Sequence, residues 1–421
     1  MGDGTVRNVQ PQQQSVFKSD GWVYRIPALF YERESETLLA FAEQRTTVDD
    51  SQSKMLVMKR GKLKEETPTV KTIEWSELQP VEEAQIDGYR PMNPCPLYDK
   101  TSKTLFLFFI CVEGTVSEQW QIKHSTNKAR LCYITSIDLG KTWSKLTDLT
   151  DKLPEIETWA TFAVGPGHGL QTEQGRLIVP LYAYTSGMNS CCRLSKSIAP
   201  FALSLYSDDS GKNWQFGQMF QAKSIECEMA EFFDESGNSI IYCNARTEGG
   251  FREEHVSESN GHEFCKLSGA QKLMETGFGC QGSLVSFPAQ NEDVKNDQSQ
   301  KANKWLLFTH PSHQCRRVSL GVYLNKTPRD PKSWSEPWII NSGPSGYSDL
   351  AYIALRWTDD LSWVYLTSSL MSAGIDSSLP QPLQDKAGCI FLLKEATAIR
   401  EYRFQGVRGL QQCLGRCYVS K

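Results

Sequence analysis

Apolar residues along this chain come in short bursts with polar, glycine-bearing text between them. LLAFAEQ (38–44), MLVMKRG (55–61), TLFLFFICV (104–112), RLCYITS (130–136), RLIVPLYAY (176–184), ALSLYSDD (202–209), SIIYCNAR (239–246), GSLVSFP (282–288), KWLLFTH (304–310) and LGVYLN (320–325) each have the length and β-branched or aromatic content of a strand. No long segment carries a convincing helical period. Many short strands joined by turns predict an all-β sandwich, barrel or propeller. NEDVKNDQSQKANK at 291–304 is polar and of low complexity, and reads as a surface loop between two strands.

One turn is written twice. SIDLGKTW (136–143) and SDDSGKNW (207–214) share Ser-x-Asp-x-Gly-Lys-x-Trp, and each follows strand-like text. The Asp carboxylate can accept from turn N–H groups, Ser can add a bond, Gly takes a positive φ and Trp plugs the hairpin onto the sheet. SESNGHEF (257–264) reads as a weaker third copy, with Ser259 for the Asp and Phe264 for the Trp. A staple repeated at this spacing implies a repeated supersecondary unit and no chemistry of its own.

Composition removes several function classes. A net charge of −4 gives no electrostatic case for a nucleic-acid partner. Thirteen cysteines without a CxxC, six scattered histidines and a polar start imply a reducing, cytoplasmic setting, mostly buried thiols, no metal and no cofactor. LFLFFICV (105–112) is too short to cross a bilayer, so any membrane attachment is expected to be peripheral. Neither the Gly2 context nor the CYVSK ending fits a lipidation pattern, and Cys191-Cys192 offers a weak palmitoylation alternative.

Three arginines stand in strand-end contexts: Arg25 in YRIP, Arg246 in CNAR and Arg317 in QCRRVSLG, where Arg316 is a rival. They are far apart in sequence, so only a closed radial fold could aim them at one point. A planar guanidinium fork suits a carboxylate better than an ammonium does.

The two staples, YRIP, LAFAEQR, MNPCPLYD, FAVGPGHG, IVPLYAY, CNAR, GCQGS, THP and GYSDL, in this order over roughly residues 15–353, resemble the vertebrate cytosolic and plasma-membrane sialidases. The resemblance implies a six-bladed β-propeller and an exo-α-sialidase. Its substrates would be sialylated glycolipids, gangliosides among them, and sialylated glycoproteins, and it would lie in the cytoplasm or peripherally on the plasma membrane. It casts Arg25, Arg246 and Arg317 as the clamp on the sugar carboxylate. Tyr347 in GYSDL is implied as nucleophile, Glu226 in IECEMAE as its base (Glu228 and Glu231 are neighbours), and Asp50 in EQRTTVDD as acid/base, with Asp49 as rival. A Tyr nucleophile is the recognised sialidase exception among glycosidases. Arg45, Glu43, Tyr182, Tyr184, Glu118, Gln281, Met92 and Asn93 follow as substrate contacts or props.

The likeness stops after GYSDLAYI. Residues 354–421 carry no recognisable family text beyond a faint echo in GCIFLLKE (388–395). The organisation expected is therefore a propeller over 1–353 and a divergent, poorly packed tail over 354–421, with an incomplete or altered sixth blade. The competing expectation is a catalytically silent propeller that binds sialylated glycans.

Overall fold

The computed structural model describes residues 14–67, 70–186, 198–289, 303–353, 366–368 and 389–394. They form a β-propeller. Five blades are antiparallel sheets of four or five strands, with first strands Val23–Glu32, Tyr89–Asp99, Thr161–Val164, Ile225–Phe233 and Ser283–Pro288. The sixth sheet departs from the expected six-blade plan. Its first strand, Ser348–Ile353, pairs antiparallel with Cys389–Lys394, which pairs in parallel with Leu366–Ser368, and no fourth strand is described. The described residues thus form five complete blades rather than the six expected. The expected poor packing of the tail falls, apart from these two short strands, outside the described residues.

Why the apolar text is continuous rather than alternating is plain from the packing. A blade is covered on both faces by its neighbours, so Thr104–Glu113 is buried at every position except its ends. An apolar cluster spans each of these junctions: one holds Phe41 and Leu107, the next Phe108 and Leu181, then Ile178 and Met229, Tyr242 and Phe308, and Leu307 and Leu350. At the last junction Leu29 and Leu38 share a cluster with Ala351 and Ile353, so the first strand of the sixth sheet packs its apolar side chains onto blade one.

The repeated turn is the staple that its spelling predicts. Asp138 Oδ1 accepts from the N–H groups of Lys141 and Thr142 at 3.0 and 2.9 Å, and Asp209 Oδ1 accepts from Asn213 N at 2.9 Å. Ser136 and Ser207 accept from Gly140 N and Gly211 N, whose φ values are +73° and +82°. Each plug lands on the preceding blade: Trp143 on Phe41 and Trp214 edge-on to Phe108 at 4.8 Å. The weak third copy folds alike, with Ser259 accepting from Glu263 N and Phe264 against Phe220. A fourth, hidden in DPKSW, uses Asp330 to accept from Lys332 N at 3.0 Å and seats Trp334 against Tyr242.

Polar groups close the centre of the ring. Asp349 accepts from Leu29 N of blade one at 2.6 Å and from Leu350 N at 3.0 Å, and lies 2.8 Å from both His168 Nδ1 and Ser283 Oγ. Glu228 accepts from Leu284 N at 2.7 Å, from Ser283 Oγ at 2.9 Å and from Gln281 Nε2 at 3.1 Å. Both carboxyl groups are fully buried. Burial, and then the charge of Asp349, push Glu228 well above the usual carboxylate range, so it holds its proton.

Gly167, with a φ of +115°, lets the chain pass close to this centre: a Cβ there would lie 1.6 Å from Glu228 Oε1. Gly167→Ala is expected to cost more than ~2 kcal/mol in chemical denaturation, from overpacking added to backbone strain. Gly175→Ala, at a φ of +94° with nothing within 4 Å, should cost only about 1 kcal/mol. Equal losses would show that the centre tolerates the methyl group.

Candidate active site

Antiparallel pairing puts the start of each blade's first strand beside the end of its second. Arg25 faces Glu43, Ala163 faces Tyr182, and Ile225 faces Arg246. Candidates from distant parts of the chain therefore gather at one end of the ring. A cavity there is lined by Arg25, Arg45, Asp50, Glu118, Tyr182, Glu226 and Tyr347, with Met92 and Asn93 in its wall.

Three first strands carry a bulge at this mouth. The register breaks between Arg25 and Ala28, between Met92 and Cys95, and between Ile225 and Cys227. Each break holds a non-glycine residue at positive φ: Ile26 at +56°, Asn93 at +57° and Glu226 at +37°. A bulge re-aims a side chain without ending the strand, and strain of this kind concentrates at functional sites. Glu226 is turned into the cavity, whereas Glu228, two residues on, points to the ring centre.

The Tyr347 hydroxyl donates a very short hydrogen bond to Glu226 Oε1. Arg246 Nη1 reaches both Glu226 Oε2, at 2.7 Å, and the phenol oxygen, at 3.0 Å. The guanidinium carbons of Arg317 and Arg25 stand 5.4 and 5.8 Å from the centre of the Tyr347 ring. Burial, then the Glu226 charge, push the phenol well above its ordinary range, against the pull of Arg246 and Arg317. The tyrosine is thus neutral, with a carboxylate in place to take its proton. Ile26 and Cys280 pack with the ring, and burial pushes the Cys280 thiol up to about 11, so it stays protonated.

The rival residues differ in their contacts. Arg316 is exposed, while Arg317 donates to Gly279 O at 2.7 Å beside the tyrosine. Asp49 caps its own turn by accepting from Ser51 N at 2.8 Å. Asp50 instead lies 2.5 Å from Arg45 Nη1 and 3.3 Å from Arg25 Nη1. Glu231 is occupied with Ser239 and Lys304, away from the tyrosine. Arg45 is itself fully buried against Glu43, 2.8 Å from Nε to Oε2, and Glu43 also accepts from Asn93 N at 2.7 Å. Burial pushes Glu43 up, and Arg45 opposes it.

On the opposite wall the Tyr182 hydroxyl donates to Glu118 Oε1 at 3.1 Å, and the Tyr184 ring stands edge-on to Tyr182. Crowding of the carboxyl by protein, and then the Glu226 charge, push Glu118 up to about 7, although the residue keeps solvent access. One expected contact is set elsewhere. Gln281 is 1% exposed and its amide is engaged with Pro166 O, Glu228 and Ser348 N, so it braces the start of the strand that follows the tyrosine instead of facing the cavity.

His168, Glu228 and Asp349 have metal-ligand chemistry and lie within 4.8 Å of one another. Their oxygens accept from main-chain N–H groups and Ser283, and one carboxyl holds a proton, so the cluster closes on itself as a brace. Sequence reasoning missed this brace although FAVGPGHG, GCQGS and GYSDL all contribute to it. It also missed the bulges, for which the prolines after Ile26 and Asn93 were a faint signal.

Residues 36–356 match the BNR repeat-like domain family. Human Sialidase-3 is 40% identical over 79% of this chain and 83% of its own length. Mouse Sialidase-2 is 41% identical over 80% of this chain and 87% of its own length. Among solved structures, the microbial sialidase Hz136 superposes with a TM-score of 0.62 at 21% identity, covering 78% of this chain and 61% of that one. The Ruminococcus gnavus intramolecular trans-sialidase gives 0.58 at 16% identity over 82% of this chain and 91% of that one. Strand order, converging guanidinium groups and these likenesses agree: the chain belongs to the sialidase family of exo-glycosidases.

Proposed function

We propose that this enzyme releases terminal sialic acid from glycoconjugates with retention at the anomeric carbon, through a covalent tyrosyl intermediate. The observation that carries the reading is the Tyr347–Glu226 hydrogen bond, with Arg246 Nη1 on the phenol oxygen and on the other carboxylate oxygen, Glu226 Oε2. In this reading Arg25, Arg246 and Arg317 hold the sugar carboxylate. As the Tyr347 oxygen bonds to the anomeric carbon, its proton passes to Glu226. Asp50 protonates the glycosidic oxygen and the aglycone departs. Ionised Asp50 then removes a proton from water, the water oxygen attacks, and the phenolate leaves and recovers its proton from Glu226.

A tyrosine suits this substrate because its reacting carbon bears a carboxylate. An attacking carboxylate would bring a second negative charge to that centre, whereas a phenol beside a glutamate moves charge in through a neutral group.

We assign lipid-borne sialosides, gangliosides included, to the substrate range. Val48, Trp120 and Phe278 are exposed apolar side chains at the segments that carry Asp50, Glu118 and the carbonyl accepting from Arg246. No helix among the described residues is long and apolar enough to cross a membrane, so contact with such a substrate would be peripheral.

A fluorogenic sialoside tests the reading. Tyr347→Phe should lower kcat by at least ~10³-fold while the folded chain still binds sialic acid; wild-type binding without turnover would favour a silent glycan-binding propeller instead. Free sialic acid should appear from mixed ganglioside vesicles. Glu118 is neutral below about pH 7 and ionised above it, and its charge then opposes an anionic substrate. KM for the sialoside should therefore rise as pH goes from 6 to 8, and Glu118→Gln should flatten that rise.

A further inference from the structure

Arg90 belongs to none of the roles above, yet it stands in the cavity wall and is 6% exposed. Its nitrogens go to main-chain oxygens on two separate lips of the site. Nε donates to Asp50 O at 3.2 Å, Nη1 to Gly114 O at 2.6 Å and Nη2 to Val116 O at 2.5 Å. The first lip carries Asp50. The second runs into Ser117, which caps the helix Glu118–His124. Asp50 is thus gripped at both ends, its carboxylate by Arg25 and Arg45 and its carbonyl by Arg90.

Burying a guanidinium is expensive, and an apolar side chain would fill this space at lower cost. What an arginine supplies is a planar fork of donors that can bind several carbonyls at once. Lysine, with one ammonium on a flexible stem, could hold one lip but not both in register.

We propose that Arg90 is a positioning residue for the acid/base step: it locks the main chain of the Asp50 loop to the 114–116 segment, and so presents the Asp50 carboxyl to the glycosidic oxygen. The inference rests on the assignment of Asp50 made above. It predicts a defect tied to the leaving group, because only a poor leaving group needs the proton.

The test compares sialyl-lactose, whose sugar alkoxide departs badly, with an aryl sialoside whose phenol departs unaided. Arg90→Met should lower kcat on sialyl-lactose by about tenfold or more, a fraction of the 10²–10⁴-fold that general acid catalysis supplies. On the aryl sialoside it should lower kcat by less than about threefold. KM should stay within about twofold for both, and Arg90→Lys should fall between Arg90→Met and the parent. Asp50→Asn should show the same ordering more strongly, and adding Arg90→Met to it should change little, since residues acting through one group are not additive. Thermal unfolding checks that each variant is folded; should Arg90→Met fail, Arg90→Lys, which keeps the charge, supplies the same comparison. Equal losses on both substrates, or additivity with Asp50→Asn, would overturn the role of Arg90. Absence of any leaving-group preference in Asp50→Asn itself would overturn the acid/base assignment and this inference with it.

Discussion

The structure depends on one buried carboxylate at the centre of the ring. A propeller usually closes through a complete final blade, but here the strand that follows Tyr347 belongs to a sheet of three described strands. Asp349, two residues after the tyrosine, supplies the missing constraint. It binds the main chain of blade one through Leu29 N and meets Ser283 of blade five and His168 of blade three. Ser348 adds contacts to Gln281 and Thr309. The segment that follows the tyrosine is thereby tied to blades one, three and five by polar groups at the axis.

Two buried carboxyl groups side by side would repel if both were charged. Glu228 avoids this by retaining its proton, which lets it share the space with Asp349 while Leu284 N and Ser283 satisfy its remaining capacity. The same strand places a second glutamate differently two residues earlier. Glu226 lies 2.7 Å from Arg246 and accepts from the Tyr347 hydroxyl. Neighbours, not residue type, separate a glutamate that braces the ring from one that faces the tyrosine.

Most of the fold and many of the site residues were legible in the sequence because they leave local spelling. Apolar bursts gave the strands, the Asp-Gly-Trp staple gave the repeating blade, and motif text gave Tyr347, Glu226 and the arginines. What was hidden is what depends on geometry across the ring. Gln281 reads like a cavity residue, but its amide is held between Pro166, Glu228 and Ser348. Arg90 went unmarked in the sequence, since nothing in YRPMN announces three carbonyl acceptors from two other segments. Around DPKSW, Pro328 and Lys332 stand where the staple has its Ser and Gly, yet Asp330 and Trp334 perform its two essential acts. The sixth sheet was the least readable, because its partner strands lie in text without the family's pattern.

The bulges explain how one architecture serves both stability and chemistry. An inner strand must stay paired to hold its blade, and its alternation sends successive side chains into the junctions on its two faces. A catalytic group at the mouth needs a direction that this alternation does not provide. Inserting one residue at positive φ breaks the alternation locally, at a cost on the order of 1–3 kcal/mol for a non-glycine residue. That cost is met by the pairing on either side: Cys227 to Phe233 continue in register with Ser239 to Ala245, and Ala28 to Glu32 with Thr37 to Phe41. Strain at Ile26 and Glu226 is therefore held by the sheets themselves, and it lies beside the tyrosine because the mouth is where the demand of pairing and the demand of aim conflict.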